Sequence, residues 1–395
     1  MTERGPRTAR PAMKGRDPNE AHRAASSLEL LFDLCFVIAV AQAAHGLGDA
    51  VAEGHHVAGV LRYAVVFFTI WWAWMNFTWL ASAYDPDTVP YRLAVLLQIA
   101  GSLVLAAGVP RAFGEDDLLL ITLGYVLLRT TLAGLRLQVA RADPGRRRTA
   151  LRFASGVTVC QTGWVGLLFL PEGVRLFGVI VMIVAETAVP AWAQAAGTTP
   201  WHPGHIAERY GLFLLIVLGE SIAAATAAIR EAFGQEHGSG ALLSLAAGGL
   251  LTVFGMWWLY FARAAHTLLA TTHRAGRRRF TWAYGHYLVF AAAAAEGAGL
   301  AAYAQLLTGP GPAPAQAAGA AVTVPLAVFL MTVWVVHVRP HRRGSVGEWG
   351  YPAVAAVLPA IAFLPRPALV AGLLSAALVV VVEVTDRASA AARAR

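Results

Sequence analysis

Charge is scarce in this chain. Of its 395 residues, 14% are Asp, Glu, Lys or Arg, against about 25% in an average soluble domain. The hydrophobic fraction is 57% and the mean hydropathy is +0.56. That deficit excludes the soluble enzyme classes and leaves a polytopic membrane protein. Cysteine is almost as rare. Cys35 and Cys160 both fall in apolar runs, which excludes a disulfide framework and leaves each thiol as a small apolar packing group. Long polar segments are missing too, so no soluble domain fits between the apolar runs. The net charge is +8. Its basic residues come in short clusters between apolar runs, the pattern that encodes membrane topology rather than nucleic-acid binding.

Apolar runs of about 20 residues mark spanning helices. Such runs lie at about 28–47, 57–81, 92–112, 117–138, 152–170, 173–195, 205–229, 241–262, 281–304, 318–338, 351–364 and 367–385. The last two are short and are split by Pro365-Arg366-Pro367, so 351–385 reads either as two spans or as a re-entrant hairpin. Arginines cluster in alternate connections, at Arg4–Arg23, Arg136–Arg152, Arg263–Arg279, Arg339–Arg343 and Arg387–Arg395, with Arg92 standing alone in the remaining connection of that set. The opposite connections hold Arg62, Arg111, Arg175, Arg230 and Arg366 one at a time. By the positive-inside rule this predicts twelve spans with both termini cytoplasmic. Residues 1–26 are polar and basic over too long a run for a signal peptide and read as a disordered cytoplasmic tail. Residues 309–321, GPGPAPAQAAGAA, read as a flexible outside loop.

A faint internal repeat is present. Glu29 and Glu208 each stand at the start of a span. Each of those spans is followed by one with clustered tryptophans, Trp71, Trp72 and Trp74 in one case and Trp257 and Trp258 in the other. The next span then carries an early polar residue, Gln98 or His286. Two parallel six-helix repeats follow, at 27–196 and 197–386, with a short tail at 387–395. Parallel repeats are a common transporter plan.

Acids inside such helices are the candidate functional residues, because a charge in the bilayer is costly and needs a partner, water or a proton. Ser27–Leu47 carries Glu29 and Asp33 on one helix face. Asp33 lies about 6 Å deeper. The helix dipole accounts for Glu29 but not for Asp33. His205–Ala225 carries Glu208 and, about 18 Å deeper, Glu220. Gly219 beside it permits close helix approach, and Ser221 adds a hydroxyl. His205, Glu208 and Arg209 read as a cytoplasmic mouth, with Glu208 and Arg209 as local ion pairs. His202, His205 and Glu208 match no strong metal motif, since Pro203-Gly204 separates the histidines. Arg129 and Glu186 lie at similar depth and read as a structural pair. Glu296 is deep in the ninth span, and His286, about 15 Å away by helix rise, could relay protons. The tryptophans read as packing and interfacial anchors. Trp71 and Trp72 are too central for a pure belt and read as lining an inner cavity.

At these residues a family resemblance emerges. LELLFDLCFVIAVAQ and HIAERYGLFLLIVLGES are similar to the two signature stretches of the bacterial low temperature requirement A family. YVLLRTTLAGL at Tyr125–Leu135 resembles that family's fourth-span pattern, with Arg129 at its arginine. The resemblance covers most of the spans. It implies that Glu29, Phe32, Asp33, Arg129, Glu208, Arg209, Gly219 and Glu220 are family positions. Cys35 departs from a position that is usually aliphatic. A polytopic bacterial inner-membrane protein named for a cold-growth phenotype is implied, but no reaction. The Phe32-Asp33 pair also resembles the aromatic-Asp motif of lysosomal and bacterial potassium channels, but Gly211-Leu212 stands at the second copy.

The sequence thus predicts an all-helical membrane protein that transports a small solute or ion, with proton coupling. Asp33, Glu220, His286 and Glu296 would handle the solute or ion, and no cofactor or metal is called for. Its partners are the lipid bilayer and the solute, with a homo-oligomer as a further possibility and nucleic acid excluded. Three rival functions stand beside transport: a cation channel, a membrane-embedded enzyme on lipid-linked substrates, and a non-transporting scaffold or cold-stress sensor.

Overall fold

A computed structural model describes residues 13–18, 20, 23–234, 240–263, 265–272, 276–309, 312–341 and 346–393. Among the described residues all regular structure is helical. An apolar chain in lipid has no water to satisfy its backbone, so helices close their own hydrogen bonds. The first six helices are α1 (Ser27–Ala52), α2 (His56–Ala83), α3 (Val89–Gly114), α4 (Leu119–Ala142), α5 (Arg147–Leu167) and α6 (Glu172–Gln194). After them come α7 (Pro203–Gly234), α8 (Gly240–Phe261), the short α9 (Ala265–Thr272) and α10 (Gly276–Thr308). α11 (Ala315–Val333), α12 (Gly350–Ile361) and α13 (Pro367–Arg393) complete the set.

Each of the twelve apolar runs is helical. Among the described residues, 10 helices are long and apolar enough to cross a membrane. α5 falls short because Arg152, Gln161 and several Ser, Thr and Gly residues dilute its apolar side chains. α12 has 12 residues, about 18 Å of rise against a hydrocarbon core of about 30 Å. α12 and α13 pack on each other across a turn at 362–366.

Several expected loops and tails are more structured than their composition suggested. Residues 315–321 already belong to α11, while 310 and 311 lie outside the described residues. The tail expected at 387–395 continues α13 as far as Arg393. At the other end, Met13 is buried and the Arg16 N–H donates to the Ala83 carbonyl at 3.0 Å. The Arg23 guanidinium donates to the carbonyls of Ser82 and, at 2.8 Å, Ala81. A buried arginine at the last turn of α2 satisfies carbonyls that a helix C-terminus leaves without partners. Residues 1–12 of that tail lie outside the described residues, as do Arg274, Arg342, Arg343 and Arg395 of the basic clusters.

The chain forms two compact units. The first takes its residues from Met1–Phe36, Trp72–Gly108 and Leu118–Ile206. In it α4 packs on α5 and α5 on α6. α3 runs antiparallel to α4. A Cβ on Gly101 would stand 3.1 Å from Leu128, and one on Gly124 would overlap the backbone of Leu105. That close approach requires glycine.

The second unit takes Val37–Trp71, Val109–Asp117 and Ala207–Arg395. There α8 packs on α13, α10 on α11 and α11 on α12. A Cβ on Gly299 would overlap the Ala321 carbonyl, so α10 and α11 touch backbone to backbone. Packing of this kind through small residues is the usual way helices associate in lipid.

Candidate functional site

In the first unit, the acids are held by buried donors. Glu186, on α6, is fully buried and accepts four hydrogen bonds. These come from Trp72 Nε1 at 2.9 Å, Tyr125 Oη at 3.2 Å, Arg129 Nη2 at 2.6 Å and Gln161 Nε2 at 3.2 Å. α2 and α5 each supply one donor, α4 supplies two, and α6 carries the carboxylate. Arg129 and Glu186 are therefore brought together at the centre of a wider network, and Gln161 and Trp72 were missed as its members.

Asp33, also fully buried, accepts from Trp74 Nε1 at 2.7 Å. Trp72 and Trp74, expected to pack, line a cavity or anchor, instead donate to carboxylates. Spacing alone could not reveal this, since the acceptors lie on other helices.

Glu29 has two jobs. Its Oε2 accepts from the Ser26 N–H at 2.8 Å, and its own N–H donates to Ser26 Oγ at 3.3 Å. That reciprocal pair is a capping box. The carboxylate also meets His205 Nε2 at 3.2 Å. The His205 N–H donates to His202 Nδ1 at 3.1 Å, and His202 Nε2 lies 2.9 Å from the Glu20 carbonyl. Glu208 is exposed and forms no ion pair among the described residues. This corrects the expected Glu208–Arg209 pair. Successive helix residues diverge by about 100°, at 3.6 per turn, so Arg209 is buried while Glu208 points outward. His202, His205 and Glu208 do not converge on one point.

Asp85 lies in the connection from α2 to α3. Burial pushes its carboxyl above the usual carboxylate range, the charge of Glu29 pushes the same way, and Arg23 opposes.

In the second unit, α1, α7 and α10 come together. Gly48 on α1 abuts the Ala298 carbonyl: a Cβ there would stand at 3.1 Å. A Cβ on Gly297 would meet the Ser221 nitrogen at 2.9 Å and the Glu220 carbonyl carbon at 3.1 Å. Glu220, Ser221 and Glu296 are thereby gathered at one helix contact. His45 Nε2 on α1 lies 4.0 Å from Glu220 Oε2. The His45 side chain is 65% exposed and that of Glu220 16%, so this pair opens outward. Glu296 is fully buried beside Ser221, whose hydroxyl reaches the Ala293 carbonyl at 3.4 Å. Neither carboxyl oxygen of Glu296 has a partner in hydrogen-bonding geometry among the described residues. His45 escaped sequence reading because a lone histidine in an apolar run carries no pattern.

His286 occupies a separate place in the same unit. Its Nδ1 lies 2.7 Å from the Trp282 carbonyl, so Nδ1 carries the proton and Nε2 offers a lone pair. Two groups approach that lone pair: Tyr260 Oη at 3.1 Å and His337 Nε2 at 3.2 Å. His337 sits in a π-helical turn, Trp334–Val338, that continues α11. Such turns are frequent at functional sites. The rings of Tyr210, Trp282 and Phe290 enclose the imidazole.

A groove of about 470 Å³ also lies in this unit. Leu47, Tyr63, Ala291, Ala295, Gly299 and Val324 are among its walls, and no acid lines it. α10 thus turns Ala291, Ala295 and Gly299 to the groove and Ala293, Glu296 and Gly297 to α7. The acids and the apolar groove are on different faces of one helix.

The chain is 30% identical over 286 residues to a protein of Rhizobium meliloti (strain 1021) described as uncharacterized, covering 69% of this chain and 67% of that protein. No solved structure matches it. Residues 24–384 match the model of the bacterial low temperature requirement A protein family. These helices, with their buried acids, therefore make up a membrane protein that belongs to the bacterial low temperature requirement A family.

Proposed function

We propose that this protein transports a small solute or ion across the bacterial inner membrane. The observation that carries the reading is the meeting of Glu220, Ser221 and Glu296 where α7 touches α10, with His45 facing Glu220. Two acids on apolar helices are not there for stability. A charge at such depth costs roughly 2.5–3.5 kcal/mol on insertion scales. An acid in that setting carries a proton or holds a cation. Glu296 is closed off, with the Ser221 hydroxyl beside its buried carboxyl, while Glu220 is reached from the exposed His45. Proton or cation exchange between an open and a closed carboxyl is the chemistry this arrangement supports.

The first unit then plays a supporting part. Glu186 and Asp33 accept from neutral or cationic donors, which suits a scaffold better than a shuttle. Asp33 thus moves from ion handling to positioning. The pair Glu29 and His205 would gate the cytoplasmic mouth. His286, between two possible donors, would pass a proton between Tyr260 and His337. Twelve spans, two parallel repeats at 27–196 and 197–386, and cytoplasmic termini complete the proposal.

The test is reconstitution in liposomes loaded with a pH-sensitive dye, comparing the native chain with Glu220→Gln and Glu296→Gln. Solute-dependent proton flux in the native chain and its loss in both variants is the expected result. Flux unchanged by both substitutions would remove these acids from the mechanism. No flux with any solute would favour the scaffold or sensor reading.

A further inference from the structure

Arg136 is a buried arginine with nothing to bind. It lies on α4, is 4% exposed, and makes no ion pair or hydrogen bond among the described residues. Its guanidinium lies 4.2 Å over the ring of Phe153. A ring face steadies a guanidinium but does not neutralise it. The Nε atom is buried without a partner. An uncompensated charge in such a place costs several kcal/mol, so a compensating anion is to be expected.

The protein's own acids are already engaged. Glu186 is encircled by four donors, and Asp143 is taken by Arg146 at 2.9 Å. Further buried groups without partners lie in the same unit. The Tyr84 hydroxyl is buried without a partner and lies in the electrostatic field of both Arg136 and Arg146. Seven residues earlier on α4, about two turns away, Arg129 keeps Nε and Nη1 without partners. On α3 the Gln98 amide nitrogen is likewise unpartnered. The antiparallel register that sets Gly101 against Leu128 places Gln98 near the level of Arg129. Three side chains on α3 and α4, with Tyr84 just past the end of α2, thus offer donors, and no free carboxylate stands among them.

We propose that the first unit binds an oxyanion of the phosphate class at Arg136, with the Tyr84 hydroxyl as a second ligand. The flat guanidinium, held by its face on Phe153, leaves its edge free. Such an edge matches two oxygens of a phosphate or phosphodiester. Two sources share that chemistry: a free phosphate solute, and the headgroup of an anionic lipid. Arg136 lies six residues, about 9 Å, from the end of α4, within reach of either. Binding here does not depend on transport.

The experiment uses the full chain in a neutral detergent, titrated with inorganic phosphate at constant ionic strength and followed by calorimetry. A parallel set is placed in phosphatidylcholine nanodiscs with and without phosphatidylglycerol, and bound lipid is read by native mass spectrometry. Saturable binding of either probe, weakened about tenfold or more by Arg136→Gln, is the expected result, since a charge-assisted hydrogen bond is lost. Phosphate alone binding identifies a solute, and phosphatidylglycerol alone a lipid. Arg136→Lys should keep part of the affinity, and Arg141→Gln, an exposed change on the same helix, all of it. If Arg136→Gln does not fold, Tyr84→Phe carries the test with a several-fold loss. The proposal is overturned if neither probe binds, if the testable variant binds like the native chain, or if chloride binds as tightly as phosphate.

Discussion

Replacing Glu186 with leucine should be among the most damaging single changes in the first unit. The substitution removes one carboxylate and leaves four donors facing an apolar side chain. The largest loss is at Arg129, whose Nη2 sits 2.6 Å from Glu186 and whose other guanidinium nitrogens have no partners. Breaking a buried ion pair by removing one partner costs about 3–5 kcal/mol. The stranded Trp72, Tyr125 and Gln161 donors add about 1–3 kcal/mol each where no rotamer change rescues them. Thermal or denaturant unfolding in a fixed detergent, followed by tryptophan fluorescence, measures the loss. The informative comparison is the double variant Arg129→Met with Glu186→Leu. If the penalty is the stranded cation, the double variant recovers much of the stability lost by Glu186→Leu alone. Glu186→Leu indistinguishable from the native chain would refute the reasoning. Strict additivity of the two single changes would confine the damage to packing.

Two further outcomes follow from the geometry. Asp85 has its carboxyl raised by burial and by Glu29, so it folds best protonated and its ionisation is the unfavourable step. Asp85→Asn should therefore match the native chain at low pH and become the more stable of the two as pH rises through the raised carboxylate range. Melting temperatures across that range check this, and a native chain that gains on the variant with rising pH would contradict it. Glycine substitutions should split by their surroundings. Gly299→Val forces atoms into the Ala321 backbone and should cost about 1–3 kcal/mol or more. Gly134→Ala meets nothing within 4 Å and should gain up to about 1 kcal/mol, as for a helix interior. Melting curves of the two variants should move in opposite directions.

The helices themselves were legible because hydropathy reports length and burial directly. The run at 57–81 became His56–Ala83, and that at 173–195 became Glu172–Gln194. Which side chains meet was harder to read. Arg129 and Glu186 were paired correctly from matching depth alone. Trp72 and Trp74 were not seen as donors, because a hydrogen bond between helices leaves no periodic mark. His45 and His337 were missed for the same reason, each being one polar residue in an apolar run. The Ser26–Glu29 capping box was readable, as Ser-x-x-Glu before an apolar run, but the helix dipole was a sufficient account of Glu29 without it. Residues 13–18 and 23–26 looked disordered because they are polar. Their order comes from carbonyls at the end of α2, a partner that composition does not display.

The two compact units have a consequence for how the protein can be made. The first draws on three separate stretches of the chain and so does the second. α1, α2, α3 and α7 each pass from one unit into the other partway along a single helix. No one cut therefore releases either unit whole. Expressing residues 1–196 or 197–395 alone would produce a fragment with helices severed from their packing partners. Two such halves made together would have to find each other before either could fold, so synthesis of the second unit can be completed only as the last helices emerge.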